Sequence, residues 1–242
     1  MTRKRYQEKP EALLNQKGFT LIELLMTIVV VSIIGAIISG SYIAGTRIKA
    51  EQEDVVEMQQ NLRVAFYMLA RDLRMAGYEI AANWDPSLLR TANVVTGTNT
   101  QVNFSYVLND TQLDLDGDGV PDAGQTANFS YSLINNPNNN MMDLIRTSGA
   151  VQTPVASNLN AISFAYLDNT GAWTAAPPVL ASDLRAIGVT IVAQGARQDR
   201  KLAPVARPFN DAFTNAVFYT SPVDRFRRRA GSTVINLRNF GI

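Results

Sequence analysis

From Leu21 to Ala76 the chain reads as one helix whose two halves carry different patterns of apolar and polar positions. At a rise of 1.5 Å per residue such a helix would run about 80 Å. Its first half is apolar all round: Leu24 to Thr46 contains no charged residue, longer than the ~20 residues that cross a bilayer as a helix. In the second half Val55, Leu62, Phe66, Leu69, Leu73 and Ala76 recur at spacings of three, four and seven, which predicts one buried stripe packed on a sheet. Glu51, Glu53, Asp54, Glu57, Gln60, Arg63 and Arg71 fill much of the remaining surface. Gly77 is the expected stop, with Arg71 and Arg74 near the last turn where cations suit the helix dipole.

Beyond Asn83 the pattern shortens to alternating runs separated by Asn, Asp, Gly and Pro, which predicts antiparallel sheet. The expected strands are Gln101 to Leu108, Ala127 to Ile134, Met142 to Arg146, Ala161 to Leu167, Leu184 to Val192, Ala216 to Thr220 and Thr233 to Arg238. Asp168-Asn169-Thr170-Gly171 has the residues of a hairpin turn. The fold class is therefore expected to be α+β, a long N-terminal α-helix packed on an antiparallel β-rich head. Its divisions are a leader (1–18), a transmembrane or core helix (19–46), an amphipathic helix (47–82) and the head (83–242).

Composition narrows the chemistry. Cysteine and histidine are both absent, which removes disulfides, thiol nucleophiles, Ser-His and Cys-His pairs and the usual transition-metal ligands. Catalysis and a small-molecule substrate are not expected. Net charge is +1, so there is no global electrostatic attraction to nucleic acid. The dense basic cluster Arg225-Phe226-Arg227-Arg228-Arg229 is read as a solvated loop paired with acids such as Asp224, ahead of a contact with DNA phosphates or an acidic surface.

The segment before the apolar run is basic, with Arg3, Lys4, Arg5, Lys9 and Lys17 against Glu8 and Glu11, a balance that favours the cytoplasm. A secretory signal places its cleavage site after the apolar core, whereas Gly18 lies before it. The junction Lys17-Gly18-Phe19-Thr20-Leu21-Ile22-Glu23 resembles that of type IV prepilins. The resemblance implies a type IV pilin fold, cleavage after Gly18 by a prepilin peptidase, N-methylation of Phe19, and a role for Glu23 in filament assembly. A carboxylate at the lipid boundary is costly unless paired, and the amine freed on Phe19 of a neighbouring subunit is a suitable partner. The plainer alternative is a signal anchor with one tolerated interfacial glutamate.

Two further strings are similar to PilW-type minor pilins: Leu69-Ala70-Arg71-Asp72-Leu73-Arg74-Met75-Ala76-Gly77-Tyr78, and Thr233-Val234-Ile235-Asn236-Leu237-Arg238-Asn239 near the end. That likeness implies a subunit held in the bacterial inner membrane, then drawn into the pilus tip beside other minor and major pilins. A J-type pseudopilin of type II secretion and a membrane-anchored calcium-binding adhesin remain alternatives. Small residues four apart, including Ser32 and Ala36 or Ser41 and Gly45, would let helices approach closely in lipid or a filament core.

One loop has the spacing of a hard-cation site. Asp114, Asp116, Asp118 and Asp122 occupy loop positions one, three, five and nine, glycine stands at six, and Val120 at seven would offer its carbonyl. Position twelve is Gln125 where an EF-hand has glutamate, so Ca²⁺ affinity is expected near ~10⁻⁴ to 10⁻³ M. Asp110 is an additional candidate ligand. An acidic solvated turn in the segment 114–125 is the alternative.

Overall fold

The computed structural model describes residues 18–77, 95–107, 126–137, 141–178, 183–199 and 201–238. Helix α1 (Leu21–Leu73) contributes to two compact units, which divide between Ala50 and Glu51. In the first unit the described residues are helical from Leu21 on, and every residue from Gly18 to Lys49 is exposed. Hydroxyls in this half bond back to the helix: Thr27 to the Glu23 carbonyl at 2.9 Å, Ser32 to Ile28 at 2.7 Å and Thr46 to Ile43 at 2.9 Å. Such back-bonding leaves few polar groups that need water.

The second unit joins the rest of α1 to a sheet. Its strands are β1 (Val95–Gly97), β2 (Gln101–Val107), β3 (Thr126–Asn136), β4 (Met141–Ser148), β5 (Val151–Leu167), β6 (Trp173–Thr174), β7 (Ala186–Gln198), β8 (Pro208–Asn210), β9 (Val217–Thr220) and β10 (Phe226–Asn236). The main sheet runs β1-β2-β3-β4-β5-β7-β10, with β6 paired to β5, and β8 and β9 form a separate hairpin. Every pairing is antiparallel.

Met58, Leu62, Ala65, Leu69, Leu73 and Ala76 form the buried stripe of α1, with Val55 and Phe66 partly buried beside it. The stripe meets Phe104, Tyr131, Leu144, Phe164, Ile187 and Ile191 of the sheet in one core. The helix ends at Leu73, three residues before the expected Ala76, and Gly77 turns the chain with φ 73° while its N–H donates to the Ser105 carbonyl at 2.9 Å. A positive φ there is costly for any residue with a Cβ.

Asp72 is only 2% exposed, yet it is charged. It accepts from the Tyr131 hydroxyl at 2.9 Å, from Arg71 Nε at 2.9 Å and from Arg146 Nε, so the last turn of α1 is tied to β3 and β4. Arg146 also lies 4.2 Å from the centroid of the Phe129 ring, beneath the stack of Phe104, Tyr106, Phe129 and Tyr131. Burial and the nearby Asp72 carboxylate push the Tyr131 hydroxyl well above its ordinary range, so it stays a donor.

Strand β7 is buried from Ala186 through Gly195 because both of its faces are covered. The helix covers one. The segment joining β8 to β9 covers the other: Phe213 lies so close to Gly188 that a Cβ there would meet the ring at 2.4 Å, and Phe213 stacks on Trp173 at 4.6 Å. Asp211 holds that segment by accepting from the amides of Phe213 and Thr214. Burial raises its pKa, but those amides more than offset this and leave it below the usual carboxylate range.

Strand β5 changes partner along its length, pairing with β4 up to Leu159 and with β7 from Leu159 onward. The change is marked by Asn158 at φ 60° and a register shift between Leu159 and Ala161. Where β4 has left, the turn after β1 fills in: Phe164 N–H donates to the Asn99 carbonyl at 2.8 Å and the Tyr166 hydroxyl to the Thr98 carbonyl at 3.1 Å. The expected hairpin turn is present: Asp168 Oδ1 accepts from Thr170 N, Thr170 Oγ1 and Ala172 N, and Gly171 takes φ 86°.

Candidate functional site

The junction at the start of α1 is built from four residues. Gly18, Phe19 and Thr20 precede the helix, all exposed, and the Phe19 ring is 89% accessible. A Cβ placed on Gly18 would meet nothing within 4 Å, so there is open space beside the Gly18–Phe19 peptide among the described residues. The Leu24 N–H to Thr20 carbonyl bond, 3.2 Å, is the first of the helix.

Thr20 and Glu23 cap that helix reciprocally. Thr20 Oγ1 accepts from the Glu23 N–H at 3.3 Å, while Glu23 Oε2 accepts from the Thr20 N–H at 3.1 Å and from the Thr20 hydroxyl at 3.1 Å. This is a capping box, Thr-x-x-Glu, which satisfies two of the helix's unpaired donors and sets a negative charge at the positive end of the dipole. Glu23 is thus not an isolated carboxylate at the lipid boundary but is bonded within its own chain. The spacing Thr20-Leu21-Ile22-Glu23 is the signal for this pairing.

Behind the cap, Leu21, Leu25, Ile28, Val31, Ile34 and Ile38 are each more than half exposed, on all sides of the helix. This is one helix long and apolar enough to cross a membrane, and its apolar window is unburied in the isolated chain. Gly35, Gly40 and Gly45 likewise have open space around them. The junction therefore offers three things together: an accessible peptide bond after glycine, a fixed carboxylate five residues further along, and an apolar surface that requires a non-aqueous neighbour.

The acidic loop with Asp110, Asp114, Asp116, Asp118, Val120 and Asp122 lies outside the described residues. Among the described residues no group of three or more acidic side chains is placed to hold a metal. The basic cluster is corrected in one respect: residues 226–229 open strand β10 and are not a loop. Arg228 grips Asp224 with two bonds of 2.6 Å, and Arg227 pairs with buried Asp199 and with Glu51 at 3.6 Å. The Arg228 bond holds the Asp224 carboxyl below its ordinary range, and the Lys201 amide followed by Arg227 does the same for Asp199. Two of the four arginines are thus paired inside the head: Arg228 with Asp224, as expected, and Arg227 with a helix residue and a strand-end residue that no local pattern could reveal.

No curated protein sequence shows significant similarity to the chain. Among solved structures, a type IV-like pilin from Thermus thermophilus aligns over 76% of this chain and 98% of its own, with 16% identity and a TM-score of 0.47. Residues 13–39, which span the end of the leader, the junction and the first turns of α1, match the family of the prokaryotic N-terminal methylation motif.

Proposed function

We propose that this chain is a structural subunit of a type IV pilus, a minor pilin of PilW type that is cleaved after Gly18, methylated on Phe19 and drawn from the inner membrane into the filament tip. The junction carries the reading: a methylation-motif match placed on an accessible Gly18–Phe19 bond, with Glu23 held at the first helical turn beneath a wholly exposed apolar rod. An apolar surface of this kind is stable in lipid or against like helices of other subunits, and a pilin occupies each in turn. The partners are a prepilin peptidase, other minor pilins and major pilins.

Mass measurement of the protein in sheared filaments is expected to give an N-terminal methylated Phe19. Glu23→Ala is expected to be cleaved but to enter filaments poorly. A protein that keeps Met1, or one recovered with secretion pseudopilins and missing from pili, would overturn the assignment.

The acidic segment 114–125 supports a second element of the proposal, a Ca²⁺ site that staples the head in place of a disulfide, since several carboxylates within a few residues repel one another without a cation. Calorimetry on the full-length chain in detergent is expected to show one Ca²⁺ site that disappears in the Asp116→Ala, Asp118→Ala double variant.

A further inference from the structure

The two edges of the main sheet are unlike. At one end β1 has three residues, and the turn that follows it is bonded to β5. Short edge strands of this kind resist pairing with other chains. At the other end β10 has eleven residues, pairs with β7 on one side, and has no strand on its outer side among the described residues.

The β10 edge is protected unevenly: its first residues carry three arginines and a bulge between Phe226 and Arg228, whereas the rest lacks the usual chemical protection. Ala230-Gly231-Ser232-Thr233-Val234-Ile235-Asn236 contains no charge and no proline. Its side chains alternate: Gly231, Thr233 and Ile235 face inward, with Phe66 of α1 against Gly231, while Ala230, Ser232, Val234 and Asn236 are exposed. Val234 is 44% exposed. An edge with no strand on its outer side among the described residues is a template for strand addition, in which backbone bonds give affinity and flanking side chains select the partner.

The flank is basic and partly free. Arg227 and Arg228 are committed to Asp199, Glu51 and Asp224, but Arg225 and Arg229 are exposed, and neither side chain has a hydrogen-bond or ion-pair partner among the described residues. We propose that the outer edge of β10 accepts an extended strand of another protein whose carboxylates meet Arg225 and Arg229 while its backbone pairs with residues 230–236. Charge complementarity selects this occupant over a second copy of β10, because residues 226–236 contain no carboxylate to offer those arginines. Nothing in this edge requires the chain to be a pilin.

Fluorescent ten-residue peptides test it, each alternating Thr and Val, with two Asp four residues apart at one end or with Lys at the same places. Added to the full-length chain in detergent micelles at low salt, the Asp peptide is expected to bind at least about tenfold tighter than the Lys peptide. Methylation of its alternate backbone amides is expected to abolish binding. Arg225→Glu with Arg229→Glu is expected to reverse the charge preference. The chain has no cysteine, so Val234→Cys supplies a single thiol: a Cys-bearing Asp peptide should form a disulfide there and not with Val151→Cys, another exposed strand position. No binding, equal binding of the methylated peptide, or Val234→Cys homodimers formed in place of peptide adducts would each overturn the proposal, and the first two need no variant to fold.

Discussion

The two halves of α1 share backbone geometry and differ in what surrounds them. Residues 21–49 are exposed all round, whereas between Glu51 and Leu73 one stripe is buried almost completely and the opposite face is wet. Helical propensity alone does not stabilise a helix of either kind in water; tertiary burial or lipid does. The second half receives that support from its own head. The first half has no such support among the described residues, and its apolar surface requires a non-aqueous neighbour.

The sharpest way to break the contrast is to remove the charge that locks the second half. Asp72→Ala leaves Arg146 and the Tyr131 hydroxyl without their shared acceptor, and should destabilise the head by about 3–5 kcal/mol, read by urea unfolding of the full chain in detergent. Next, Leu69→Ala opens the core and is expected to cost about 2–5 kcal/mol in the same measurement. Ile33→Ala, made in the exposed half, should leave the head transition unchanged. A loss of equal size there would erase the distinction.

A smaller effect belongs to the junction. Thr20→Ala removes half of the capping box and is expected to weaken the start of α1 by about 1 kcal/mol, seen as faster amide exchange over residues 21–24 with the head untouched. Smallest at neutral pH is the effect of acid on the head. Asp199, Asp211 and Asp224 are all held below their ordinary values, so their stabilisation is fully present above the unfolded carboxylate pKa of about 3.9 and is lost as pH falls through the lower folded values. Unfolding midpoints should therefore be flat in these groups from pH 7 to 5 and drop below about pH 4.

Most of this architecture was legible in the periodicity. The stripe of α1 and all or part of seven strands follow from spacings of three, four and two, and the hairpin at Asp168 from its turn residues. The first part of β5 was not legible, because proline and asparagine are disfavoured within strands; the structure accommodates Pro154 opposite Ile145, where β5 is paired on one side and the ladder shifts register. The start of β10 was hidden by its arginines, of which Arg227 is answered by Glu51 and Asp199 from distant parts of the sequence and Arg228 by Asp224 four residues away. Strands β1, β6 and β8, of three, two and three residues, are too short to show a period. At the junction, Gly18 and Glu23 are legible as chemistry, and the Thr-x-x-Glu spacing carries the hydroxyl that orients Glu23.

The donor that Glu23 Oε2 takes from the backbone is the Thr20 amide, which lies one peptide bond beyond Gly18–Phe19. The capping bonds thus lie wholly between residues 20 and 23, and the first turn of the helix depends on nothing at or before Phe19. Under the proposed cleavage after Gly18, the charge at the tip of the helix would change while its first turn kept its bonds.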